Sequence, residues 1–107
     1  MSDILTRLDR VINNHKQKKT DQSYSAKLLN EGVEKCTEKF GEEAIELIVA
    51  CLTQKNKEII REAADVLYHL NVLMRAKNIS IEEVLSELSR REGISGLKEK
   101  EDRGTKR

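Results

Sequence analysis

Apolar residues recur along this chain at intervals of three and four, the spacing that gathers side chains on one face of an α-helix. Ile4, Leu5, Leu8, Val11 and Ile12 form a first stripe, opened by Ser2 or Asp3 as a cap. The polar run from His15 to Ser23 predicts a loop, and Tyr24 to Leu29 a short helix or turn. The spacing then predicts a long helix over residues 31–53, with a stripe of Val33, Cys36, Phe40, Ala44, Leu47, Ile48 and Cys51. Gly32 and Gly41 weaken that helix by roughly 1 kcal/mol each relative to alanine. A turn at residues 53–58, with Asn56 as candidate cap, leads into a helix over residues 57–77. Ser80-Ile81-Glu82-Glu83 is a capping box, and it opens a last helix with Ile81, Val84, Leu85 and Leu88 on one face. From Lys98 to Arg107 almost every residue is charged, which predicts a disordered or loosely held tail.

No stretch alternates polar and apolar residues for long enough to make a strand. There is no proline, and three of the five glycines (Gly93, Gly96, Gly104) follow the last periodic segment. The expected fold is therefore all-α, a compact bundle of four to five helices in one domain over residues 1–97, with residues 98–107 as the tail. A chain of 107 residues buries its surface inefficiently, which favours association with a second copy. Charged residues make up 36% of the chain, yet the net charge is +1, and the aromatics are only Tyr24, Phe40 and Tyr68. That balance argues against nucleic acid or a membrane surface as partner. No apolar run approaches the roughly 20 residues of a membrane span, and MSDILTRLDR lacks a signal-peptide core; the expected location is cytoplasmic. Cys36 and Cys51 form no CxxC pattern and share one stripe, so both read as free buried thiols.

The long helix changes this plain picture. Its segment FGEEAIELIVACL holds Glu42, Glu43 and Glu46, and no Lys or Arg falls between Lys39 and Lys55. At roughly 100° per residue, Glu43 and Glu46 share one flank of the apolar stripe, with Glu42 further round and Lys35 and Lys39 on the same flank one and two turns earlier. The next helix, EAADVLYHLNVLM, repeats the theme: Glu62 and Asp65 lie three apart, His69 stands one turn beyond, and apolar residues line both sides, so this helix is expected to be buried over most of its circumference. A short turn makes the two helices antiparallel neighbours, and ExxE then faces ExxD.

On an exposed face such crowding costs only about 0.2–0.5 kcal/mol per pair. Between packed helices, like charges about 4 Å apart repel by roughly 4 kcal/mol at an effective dielectric of 20. A hard divalent cation held by oxygen ligands resolves that conflict, and Mg²⁺ is the ordinary choice. Mg²⁺ in a carboxylate cage points to phosphate chemistry. Glu42, displaced around the helix, is a candidate for orienting or deprotonating a water, and Lys27, Lys35 and Lys39 are candidates to meet phosphate oxygens. A hydrogen bond that steadies Asp65 is the expected role of His69; Tyr68, on another face, is expected to pack.

EExxE, fifteen residues, then ExxD resembles the signature of the all-α nucleoside-triphosphate pyrophosphohydrolases of the MazG type. SYSAKLLNEGVEKCTEKFGEEAIE followed by EAADVLYHLNVLM is similar, more closely, to the phosphoribosyl-ATP pyrophosphohydrolases of histidine biosynthesis, over about Ile4 to Arg90. That family usually reads Ser-Tyr-Thr where this chain has Ser23-Tyr24-Ser25, and it often carries apolar residues at the positions of Cys36 and Asn71. The resemblance implies Mg²⁺-dependent hydrolysis of phosphoribosyl-ATP to phosphoribosyl-AMP and pyrophosphate, cut between the α and β phosphates, by a homodimer whose partner helps shape the active site. It also implies Glu43, Glu46, Glu62 and Asp65 as metal ligands, Glu42 as a further ligand or the water-orienting base, and Ser23, Tyr24 and Lys27 as substrate contacts. Three other readings compete: a housekeeping pyrophosphohydrolase of non-standard nucleotides, a non-catalytic helical interaction module, and a di-iron bundle, the last disfavoured because Glu-x-x-Asp stands where Glu-x-x-His is needed.

Overall fold

The computed structural model describes residues 2–16, 23–94 and 96–104. Among them run six helices and no strand: α1 (Ser2–His15), α2 (Tyr24–Glu31), α3 (Val33–Thr53), α4 (Asn56–Ala76), α5 (Ile81–Arg90) and α6 (Gly96–Arg103). The side chains of Ser2 and Asp3, and most of the expected loop after His15, lie outside the described residues.

The helix boundaries have local causes. Ser23 caps α2, its Oγ accepting from the Ala26 N–H at 3.1 Å. The long helix begins at Val33 rather than residue 31, because Gly32 sits at φ 100°, ψ 173°. Only glycine reaches that region without strain, so Gly32 breaks the chain into α2 and α3 where mere weakening was expected. Gln54 and Lys55 are both extended and turn the chain within two residues. That tight reversal makes Asn56 the first helical residue of α4 instead of its cap, and Lys55 takes the capping position without a side-chain bond. Asn78, at φ 61°, ends the α4 corner, and the Ile79 N–H returns to the Met74 carbonyl at 2.9 Å. The capping box is present at Ser80 and Glu83. Within the tail expected to be disordered or loosely held, residues 98–103 belong to a helix, with Lys98 and Asp102 paired one turn apart at 3.7 Å.

The antiparallel pair α3–α4 is the axis of the bundle, and α1, α2 and α5 pack around it. Ile12, Leu28, Cys36 and Val72 form the buried centre, with Leu8, Leu29, Tyr68, Leu73 and Ala76 against it. The Cys36 thiol donates to the Leu28 carbonyl at 3.3 Å, and burial pushes its pKa up. Asp9, only 5% exposed, ties three helices together. It accepts two bonds from the Arg75 guanidinium, at 2.8 and 3.2 Å, and one from the Ile81 N–H at 3.0 Å.

One side of the axis is bare. Ile45, Ile48, Val49 and Leu52 of α3 and Ile60 and Leu67 of α4 are all substantially exposed, Leu52 at 80%. Cys51, expected to be buried, is exposed beside them. Helical spacing placed Ile48 and Cys51 on the apolar stripe, but no element among the described residues covers this side, so α4 is not enclosed as far round as its composition implied.

Asn71 is fully buried, and neither Nδ2 nor Oδ1 finds a partner among the described residues. Leucine has the same number of side-chain heavy atoms, branched at the same carbon, and carries no such groups. Asn71→Leu is expected to stabilise the protein by about 1 kcal/mol, raising the thermal midpoint by about 4 °C; a melt followed by circular dichroism checks this.

Candidate active site

The two-residue turn sets α3 and α4 side by side so that the acids meet. One carboxylate oxygen from each of Glu43, Glu62 and Asp65 lies within 4.8 Å of the other two, and all three side chains are half-buried. Glu46 is more exposed and stands outside this tight trio, yet it is near enough to act on Glu62. The Glu62 carboxyl is pushed above the usual carboxylate range, by desolvation first and then by the charges of Glu46, Asp65 and Glu43. Its Oε1 is buried with no hydrogen-bond partner among the described residues. Native proteins rarely leave a buried carboxylate oxygen unmatched. An all-oxygen donor set around an unmatched carboxylate is what a hard divalent cation requires.

Glu42 turns away from the trio, as its position on the wheel requires. It is exposed and pairs with Lys39 at 3.1 Å. This pair lies at one end of a groove of about 350 Å³ between α2 and α3, whose lining also includes Tyr24, Lys27, Glu31 and Lys35. Lys35 is paired with Glu38 at 2.9 Å, both well exposed. A larger cleft, about 540 Å³, runs between α1 and α5 past Thr6, Leu85, Ser86 and Glu92. It is remote from the acids, and its lining contains no cationic side chain, so size alone does not mark it as the site. The structure thus brings Tyr24, Lys27, Lys35, Lys39 and Glu42 into one groove. Ser23 is not part of that lining: its Oγ caps α2 and also meets His15 Nδ1 at 2.9 Å.

Behind the groove stands an aromatic frame that the sequence did not disclose. His69, buried, donates from Nδ1 to the Asp65 backbone carbonyl at 2.9 Å. The expected hydrogen bond to Asp65 is thus present, and one helical turn of separation directs it to the backbone carbonyl. This bond fixes the tautomer, leaving Nε2 to accept from the Tyr24 hydroxyl at 3.4 Å. Tyr68 packs, as expected, and stacks on Tyr24 with ring centres 6.1 Å apart and planes 18° apart. Its hydroxyl also hydrogen-bonds the buried Ser25 hydroxyl, which explains why a hydroxyl residue suits position 25. Each partner lies more than 40 residues from the other, so no local pattern could have paired them.

A model of the phosphoribosyl-ATP pyrophosphohydrolase family matches residues 5–92. A protein of Dinoroseobacter shibae named phosphoribosyl-ATP pyrophosphatase is 50% identical over 100 residues, covering 94% of this chain and 98% of the relative. Proteins of the same name from Rhodobacter capsulatus and Erythrobacter litoralis are 48% and 46% identical, each over 94% of this chain and 97% and 96% of their own lengths.

Replacing a crowded carboxylate should relieve the metal-free site. A carboxyl whose folded pKa is raised binds more protons folded than unfolded, so it subtracts stability as pH rises through its titration range. Metal-free Glu62→Gln is therefore expected to melt above the wild type at neutral pH. The gap should close as the pH is lowered and wild-type Glu62 takes up its proton; melts across pH 4–8 in chelator check it.

Proposed function

This chain belongs to the phosphoribosyl-ATP pyrophosphohydrolase family and hydrolyses phosphoribosyl-ATP in histidine biosynthesis, and from that premise we propose how its residues carry the reaction. Glu43, Glu62 and Asp65, with Glu46 completing the set, would hold Mg²⁺. The observation that carries this is the buried, unmatched Glu62 oxygen among carboxylates within 4.8 Å. When bound, the ion would neutralise pyrophosphate oxygens and favour cleavage between the α and β phosphates.

The chain's own groups supply the remainder. Glu42 is one residue from the acid trio and faces the groove, where it can orient the attacking water and accept its proton. Lys39, one turn from Glu43, is placed to offset charge on the phosphate that stays with the nucleoside. Tyr24, Lys27 and Lys35 contact the substrate along the groove; Ser23 contributes by fixing the start of α2, and any contact of its own would compete with its cap.

The bare apolar side of α3–α4 supports a homodimer. Contiguous exposed apolar surface of this kind marks an association site, and a two-fold pairing would bring the same face of a second copy against it. Catalysis belongs to the domain over residues 1–97, with residues 98–107 as a charged appendage; the family match ends at residue 92, and α6 spans the boundary. A cytoplasmic location fits the substrate, and none of the described helices is long and apolar enough to cross a membrane.

Pyrophosphate release from phosphoribosyl-ATP should require Mg²⁺ and greatly exceed release from dCTP or dUTP; preference for a deoxynucleotide would overturn the substrate. Glu46→Gln is expected to lower turnover by at least about a hundredfold with the helical spectrum unchanged. Sedimentation should give twice the chain mass, and Leu52→Glu, which places a charge on the bare face, should shift the protein toward the monomer.

A further inference from the structure

We propose that the groove between α2 and α3 is the subsite for the phosphoribosyl arm of the substrate, its 5′-phosphate on Lys27 and Lys35 and its ribose hydroxyls toward Glu31. This rests on the reading that phosphoribosyl-ATP is the substrate, and it concerns what separates that molecule from an ordinary nucleoside triphosphate: a second ribose bearing its own phosphate.

Position along α3 is the first argument. Lys39 is one turn from Glu43, but Lys35 is two turns away, a rise of about 12 Å. A phosphate chain engaged at the acid trio ends well short of that distance. A sugar phosphate attached to the far edge of the base does not. Lys27, on α2, lines the same groove and has no ion pair among the described residues.

The mixed charge of the lining is the second argument. Three lysines share the groove with Glu31 and Glu42. A site built for polyphosphate would gain nothing from Glu31. A carboxylate beside lysines suits a sugar phosphate, because ribose hydroxyls donate to it while the phosphate accepts from the ammonium groups. The Lys35–Glu38 pair is no obstacle, since both members are well exposed and such pairs are weak.

The third argument is Tyr24. It is half exposed, yet it is held by its bond to His69 and its stack on Tyr68. One ring face is taken by Tyr68, and the side chain lines the groove. A ring fixed in this way offers a flat wall to the base or sugar that leads from the scissile phosphates into the groove.

Binding of phosphoribosyl-AMP and of AMP, measured by calorimetry without divalent cation, tests this apart from catalysis. The two ligands differ only by the arm. Wild type is expected to bind phosphoribosyl-AMP at least about tenfold more tightly. The double variant Lys27→Gln/Lys35→Gln should bring the ratio close to one, whereas Lys27→Arg/Lys35→Arg should retain most of it. All four substitutions are at exposed positions and leave the core intact. Equal binding of the two ligands by wild type, or an undiminished ratio in the glutamine variant, would overturn the subsite. If wild type still released pyrophosphate from phosphoribosyl-ATP in either case, the activity would stand and only the placement of the arm would fall.

Discussion

Repulsion among carboxylates across the α3–α4 seam is the constraint around which the molecule is organised. Glu43, Glu62 and Asp65 come within 4.8 Å of one another with Glu46 close by, and no lysine or arginine lies between Lys39 and Lys55 to relieve them. Such an arrangement is unfavourable in isolation. It persists because α3 and α4 are joined by a two-residue turn and cannot slide apart, and because the helices are anchored elsewhere. In the proposed function this frustration has a use: a cation and the substrate's phosphates would supply the positive charge and the ligands that the seam lacks.

The anchoring is spread over the remaining helices. Asp9 locks α1 to the end of α4 and to the first N–H of α5, through a largely buried ion pair that would leave an uncompensated charge if either partner were lost. Gly32 lets α2 fold back across α3 and α4, which places Lys27 opposite Lys35 and brings Tyr24 to His69. Lys35 and Lys39, expected on the flank of Glu43 and Glu46, instead line the groove with Glu42, so the acid trio and the lysine groove lie on different flanks of α3, with Glu42 and Lys39 at the junction. In the proposed function, that division would let one helix present a cation cage and an anion groove without mutual cancellation.

Much of this was legible in the chain. Helical period located α3 and α4, and the ExxE and ExxD spacings placed their acids face to face. The capping box at Ser80 and Glu83 was readable because both partners are local. Coverage was not readable. The same period that marks Cys36 as apolar marks Ile48 and Cys51, but burial depends on a neighbour that periodicity cannot supply. Nor were the contacts of Tyr24 with His69, Ser25 with Tyr68 and Asp9 with Arg75, which join segments 43 to 66 residues apart. The helix in the tail was not legible for another reason. Its composition favours solvation, and a short helix can be both highly charged and locally bonded.

The two cysteines, unequal in their surroundings, give the molecule a built-in gauge. Cys36 is sealed in the core with its proton directed at a carbonyl, whereas Cys51 emerges beside Leu52 on the uncovered side of α3. An alkylating reagent would thus discriminate between them in the native chain, with no engineered label. Its rate at the outer thiol reads whether that flank is shielded, at a position remote in character from the acids and the groove, so assembly can be followed while turnover is being measured.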